Sequence, residues 1–260
     1  MMEKPILMIH DAGSSGTVWS VMAAALKTKG WLPFTPTLFP QFRVNANPTG
    51  QLSTLGLHDY VEAAKAEAAQ IERVTGEEPI LIGHGLGGLI AQKLAEQGMG
   101  KALILIAPYP SVDCRVRDPA AAFTHANILL QANHQLPYKV WKTGYMWGIL
   151  NQVPASKRNG IYDQTLYESG LMYHQLAKPE ADPHRVSVID ETAISCPILT
   201  IGALQDRAIA IESVRRIAQK YAGVGGDYRE FGGAAHWLIN EPKTPELLAT
   251  LNGWLEKHGQ

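Results

Sequence analysis

The sequence predicts an α/β chain built on a doubly wound, mostly parallel sheet, with one helical insertion. Three observations carry that expectation. Short, continuous apolar runs such as Pro5-Ile6-Leu7-Met8-Ile9, Ile80-Leu81-Ile82 and Leu103-Ile104-Leu105-Ile106 have the character of strands buried on both faces. Segments of helical periodicity alternate with them, as parallel βαβ units require. The alternation stops near residue 109 and resumes near residue 195, so a core formed by residues 1–110 and 194–260 is expected to carry an insertion over residues 111–193.

The elements follow in order. The first strand ends in the small-residue loop His10-Asp11-Ala12-Gly13-Ser14-Ser15-Gly16, and Thr17 is placed to cap a helix that buries Val18, Trp19, Met22, Ala25 and Leu26 until Gly30 stops it. Residues 31–38 hold Pro33 and Pro36, which favours an edge strand. A polar loop over residues 39–56 follows, long enough to be functional or a surface excursion. Leu57 to Val74 reads as an amphipathic helix ended by Gly76. Between Tyr109 and Ser195 no buried strand is evident, but aromatic residues are frequent, among them Phe123, Tyr138, Trp141, Tyr145 and Trp147. This segment can be a packed side layer or a cap supplying an apolar pocket, and its place after a strand whose carboxyl end faces the ligand side of such a sheet favours the cap. Pro197-Ile198-Leu199-Thr200-Ile201 is a further strand, 211–221 a helix, 227–231 a short strand and 245–257 the closing helix, with Pro245 in its first turn.

Composition narrows the class of function. With 260 residues the chain can bury one sizeable core. A net charge of −1 and the lack of a basic run give no footprint for nucleic acid. No apolar run reaches the length of a membrane span, and the two cysteines, Cys114 and Cys196, match no metal-ligand spacing. The expectation is a soluble, cytoplasmic protein, monomer or homodimer, with a small-molecule substrate and with neither metal nor cofactor.

The most informative stretch is Gly83-His84-Gly85-Leu86-Gly87, a strand, a tight turn and a helix start. Its frame is that of the glycine-x-serine-x-glycine nucleophile elbow, with glycine at the position of the attacking serine. Two later strands end in loops that carry Asp206 and His236. The order nucleophile position, acid, histidine resembles that of the α/β-hydrolase fold superfamily over nearly the whole chain, and the start at a histidine-bearing loop is similar to its small bacterial members. The resemblance implies that Asp206 orients His236, that His236 is the general base, and that the backbone amides of Ala12 and Leu86 form an oxyanion hole. It also marks two departures: Asp11 stands where the superfamily's loop has glycine, and Gly85 stands where it has serine.

Asp11, His84 and Trp237 are further pocket candidates, although Asp11 can equally cap a helix or pair with a neighbour, and His10 and His84 read as hydrogen-bonded structural residues. Gly85 can also be simple relief of a strained turn. Deleting the nucleophile of a serine hydrolase removes on the order of 10⁶ in kcat, so ordinary ester hydrolysis is not expected. The leading expectation is an enzyme acting on a small, fairly apolar carbonyl compound. Three routes stay open: a His236–Asp206 pair activating a water in the space of the absent side chain, proton transfer on the substrate as in a lyase or isomerase, or a serine hydrolase whose nucleophile has been replaced by Gly85. A ligand-binding protein that has shed the chemistry is the rival reading.

Overall fold

Six strands alternate with helices along the chain: β1 (Lys4–Ile9), β2 (Trp31–Phe34), β3 (Ile80–His84), β4 (Leu103–Ile106), β5 (Ile198–Ala203) and β6 (Asp227–Phe231). In the computed structural model, which describes residues 4–131 and 133–259, they pair in the order β2-β1-β3-β4-β5-β6. Every pairing is parallel. The proline-bearing β2 lies at one edge, as its missing amide donors require. β3 and β4 are buried throughout, which accounts for their unbroken apolar sequences.

Alternation along each strand divides the core into two layers. Ile6, Met8, Ile82 and Ile104 face one side, where they meet Trp19, Met22 and Leu26 and the closing helix residues Trp254 and Leu255. Leu7, Ile9, Leu81 and Leu103 face the other, against Tyr60, Val61, Leu89 and Ile90. The helices on the two faces are α1 (Ser20–Lys27), α2 (Leu57–Thr75), α3 (Leu86–Glu96), α9 (Ile211–Ala222), which adds Ile217 and Tyr221 to the second layer, and α10 (Thr244–His258). Gly76 ends α2 in a left-handed conformation, and Pro245 opens α10. The start of α1 differs from expectation. Residues 16–19 form a 3₁₀ turn, the Thr17 hydroxyl pairs with Ser15 instead of capping, and Val18 and Ala25 are only half-buried.

Between β4 and β5 the chain is helical, with α4 (Pro119–Thr124), α5 (Ala126–Leu129), α6 (Lys142–Gly144), α7 (Ala155–Asp163) and α8 (Gly170–Ala177). A π-helical turn over Tyr145–Ile149 continues α6, and an isolated bridge joins Tyr138 to Glu168.

The loop over residues 39–56 is tied down by a side chain that periodicity does not reveal. Arg43, fully buried, reaches Glu168 in a buried ion pair, and it donates to Ser14 O and Leu38 O at 2.6 and 3.0 Å. Glu168 also accepts from the Gly13 amide at 2.8 Å and the Tyr60 hydroxyl at 2.7 Å. One carboxylate therefore joins the loop after β1, the 39–56 loop, α2 and the segment between β4 and β5. Removing one partner of a buried pair leaves an uncompensated charge, so Arg43→Met is expected to cost about 3–5 kcal/mol in chemical denaturation. Glu168→Gln should lose a similar amount, and a loss under 1 kcal/mol in both would show that the pair does not hold the loop.

Candidate active site

Four loops at the carboxyl ends of strands converge. Asp11 follows β1, Gly85 follows β3, Asp206 follows β5 and His236 follows β6. The turn at Gly85 has φ 54° and ψ −120°, a conformation that side chains with a Cβ adopt only under strain. Gly85 meets a second constraint as well. A Cβ built there would lie 2.0 Å from Asp11 Oδ1 and 2.2 Å from its Cγ. The space expected to admit water is thus filled by the Asp11 carboxylate.

That carboxylate is held at both oxygens. The Leu86 amide, the first of α3, donates to Oδ1 at 2.6 Å, and Oδ2 lies 3.0 Å from His236 Nε2. On the other side of the imidazole, Nδ1 lies 2.8 Å from Asp206 Oδ2. Asp206 Oδ1 in turn accepts from the amides of Ala208 and Ile209 at 2.7 and 2.9 Å, which fixes its rotamer. The expected pairing of Asp206 with His236 is present. The Leu86 amide, expected to face a substrate oxyanion, instead meets Asp11, and Ala12 lines the cavity beside it.

Two carboxylates on one imidazole reverse its ordinary charge state. Burial alone would pull His236 down, but the Asp206 charge and the hydrogen bonds that the ring donates to Asp11 and Asp206 outweigh it and push the pKa up to about 10. For Asp11, burial raises the pKa, while the hydrogen bond and charge of His236 hold the carboxyl below the usual range. At neutral pH the arrangement is an imidazolium between two carboxylates. In that state His236 carries a proton on each ring nitrogen, whereas the sequence reading has it as the general base.

His84 and Trp237, expected at the pocket, lie behind His236 in the core instead. The His84 ring contacts Trp19 and Trp237 edge-on, and its Nε2 donates to His236 O at 2.7 Å. Burial and the His236 charge lower its pKa to about 4. His10 is likewise structural: Nε2 accepts from the Leu38 amide at 3.1 Å, Nδ1 donates to Asp11 O, and burial with the Arg43 charge brings it to about 3. Asp11, His84 and His236 together offer ligand atoms within 4.8 Å of one another, the one such metal-compatible group among the described residues. A cation there would have to replace the proton that His236 shares with Asp11.

A cavity of about 530 Å³ opens over the constellation, with Asp11, Ala12, Leu86 and His236 on its inner wall. Its outer wall comes from the segment between β4 and β5, through Arg115, His125, Ile128, Val140, Ile149 and Leu176. Arg115 and His125 are polar residues that sequence reasoning missed, because they belong to no motif and only the folded insertion brings them near Asp11.

The charge state of His236 is directly measurable. In a ¹⁵N NMR titration both ring nitrogens should remain protonated at pH 8, and a neutral ring there would contradict the geometry. Asp11→Asn, which removes one carboxylate, should lower the midpoint. Because the folded pKa of about 10 exceeds the ordinary 6.5, the stability due to this group is fully present below about pH 6.5 and is lost as pH rises through 10. Thermal unfolding of the unaltered protein should therefore decline between these limits more steeply than that of His236→Gln.

The alpha/beta hydrolase family model matches residues 6–250. Among solved structures, tomato methylketone synthase I complexed with 2-tridecanone superposes with a TM-score of 0.74 at 17% identity, covering 99% of this chain and 100% of that one. A variant of the same protein complexed with beta-ketoheptanoate gives 0.73 at 17% identity, with 99% of each chain covered. A pyrethroid hydrolase from Sphingobium faniae gives 0.70 at 18% identity, covering 98% of both chains. Sequence comparison with curated proteins gives no match. At such identities the structural likeness shows the fold, while the family match spans nearly the whole chain and agrees with the reading of a hydrolase-like protein. By that match, the chain belongs to the alpha/beta hydrolase family.

Proposed function

We propose that this chain is an enzyme that moves protons on a small, fairly apolar carbonyl compound through an enolate, with no serine nucleophile and no covalent step. The observation that carries this reading is the His236 imidazolium clamped between Asp206 and Asp11 at the wall of an apolar cavity. A neutral carbonyl oxygen is too weak a base to take a proton from an imidazolium, but an enolate oxygen is basic enough. His236 thus donates as negative charge develops. Asp206 keeps the ring in place through Nδ1.

The site works when a substrate carbonyl displaces Asp11. Its oxygen takes the hydrogen bonds of His236 Nε2 and the Leu86 amide, with Ala12 contributing its amide to the same oxyanion site. The displaced Asp11 carboxylate loses the two contacts that depress its basicity and accepts the proton from the carbon next to the carbonyl. The electron pair of that C–H bond forms the enolate, which His236 protonates to the enol. In a carbon–carbon cleavage the breaking bond supplies the same electrons and Asp11 needs no proton. Residues 111–193 act as the cap that keeps water from the enolate.

Water-activated hydrolysis fits less well, because Asp11 fills the position of the water and a cationic His236 is no base. Loss of a serine by simple replacement fits less well too, since a side chain at residue 85 collides with Asp11. Structural likeness to methylketone synthase I, seen with a methyl ketone and a β-keto acid, supports a carbonyl ligand. A β-keto acid that loses carbon dioxide passes through an enolate to a methyl ketone. One observation favours the ligand-binding reading: Leu86 and His236 are already satisfied by Asp11.

A panel of methyl ketones and β-keto acids separates the two. Mass spectrometry should record α-deuterium exchange or consumption, and His236→Ala and Asp11→Asn should each lower it about 10²–10⁴-fold. Binding without exchange or consumption would support the ligand-binding reading. Gly85→Ser alone should gain no activity towards an activated aryl ester. Asp11→Gly combined with Gly85→Ser clears the collision, returns His236 towards neutrality and should create measurable esterase activity; activity in the single variant would contradict the steric argument.

A further inference from the structure

The cavity that Asp11 and His236 line also holds a cation with unused donors. Arg115 lines the cavity from the segment after β4, its guanidinium carbon 5.2 Å from the centre of the Tyr109 ring. Nη1 donates to Leu176 O at 2.5 Å. Nε and Nη2 are buried and have no hydrogen-bond partner. These two nitrogens form one edge of the guanidinium, the edge that matches both oxygens of a carboxylate. Among the described residues no carboxylate pairs with Arg115: Asp118, which also lines the cavity, spends Oδ1 on the Ala120 amide at 2.7 Å. Burying such an edge without a partner is costly unless a ligand completes it.

The Asp11–His236 centre repels anions. Asp11 and Asp206 each carry a negative charge and His236 one positive charge, so the centre is net negative. An anionic group on a ligand is driven away from it and towards Arg115. Ile128, Val140, Ile149 and Leu176 line the same cavity, an apolar lining suited to methylene groups.

We infer that the substrate is an oxo acid, with its carbonyl at His236 and a carboxylate several carbons away on the Nε–Nη2 edge of Arg115. This assignment rests on the proton-transfer reading for the position of the carbonyl, but the anchor itself is a matter of binding. Arg115 is then a specificity residue that sets which end of a bifunctional chain enters first. A tetrahedral phosphate would use the same charge, but the unpartnered edge supplies two parallel donors in a plane.

The test compares decan-2-one with 9-oxodecanoate, the same chain length with and without the acid, by isothermal titration calorimetry on the full chain. The unaltered protein should bind the oxo acid about 10- to 100-fold more tightly, the range for a charge-assisted pair withdrawn from water. In Arg115→Met that preference should vanish while the ketone binds as before, which also shows that the variant is folded. Arg115→Lys, which keeps the charge and loses the fork, should retain only part of the preference. Equal affinity for the two compounds in the unaltered protein, or a preference that survives in Arg115→Met, overturns the inference. Turnover is read separately: a preference that depends on Arg115, with no α-deuterium exchange in either compound, refutes the proton-transfer reading and leaves the anchor standing.

Discussion

The arrangement at the centre of this fold depends on where one carboxylate sits. Asp11 lies within hydrogen-bond reach of the Leu86 amide at one oxygen and His236 at the other. An amide at the start of a helix attracts an anion, and here the chain provides that anion itself. His236 is an imidazolium because the Asp206 charge, together with the hydrogen bonds the ring donates to Asp11 and Asp206, outweighs its burial. Three features that look independent, the glycine at residue 85, the acid at residue 11 and the charge on the histidine, are therefore one electrostatic and steric unit.

The fold was readable because its signals are local. Apolar runs such as Leu103-Ile104-Leu105-Ile106 can be little else than strands covered on both faces, and Gly76 and Pro245 mark helix boundaries by their own backbone preferences. The order of Gly85, Asp206 and His236 was readable for the same reason, since each stands in the loop that follows a strand. What escaped was pairing over distance. Asp11 and His236 are separated by 225 positions, and nothing in either neighbourhood says that they meet. Asp11 was a candidate at the pocket, but its role was set by the absence of a side chain at Gly85, a relation between two loops. His84 and Trp237 each neighbour a site residue in sequence, and both are buried in the core, His84 as the hydrogen-bonded structural residue the sequence also allowed.

The second long-range element, the Arg43–Glu168 pair, explains how the Asp11 loop keeps its shape. Glu168 holds the Gly13 amide two residues after Asp11, and Arg43 holds Ser14 O on the same loop. The residues between β4 and β5 thus shape the inner wall of the cavity as well as forming its outer wall. Opening that segment would disturb the loop on which the carboxylate depends, so access to the cavity and integrity of its centre are mechanically linked.

The collision between Asp11 and any side chain at residue 85 also restricts history. A chain with serine at the elbow and aspartate in the β1 loop would place two groups in one volume. A sequence passing between the serine arrangement and this one has to clear the elbow before the acid arrives. Glycine at residue 85 is then the doorway, and aspartate at residue 11 the lock that closes it: with the carboxylate on the amide of Leu86, a side chain introduced at residue 85 alone no longer fits the fold.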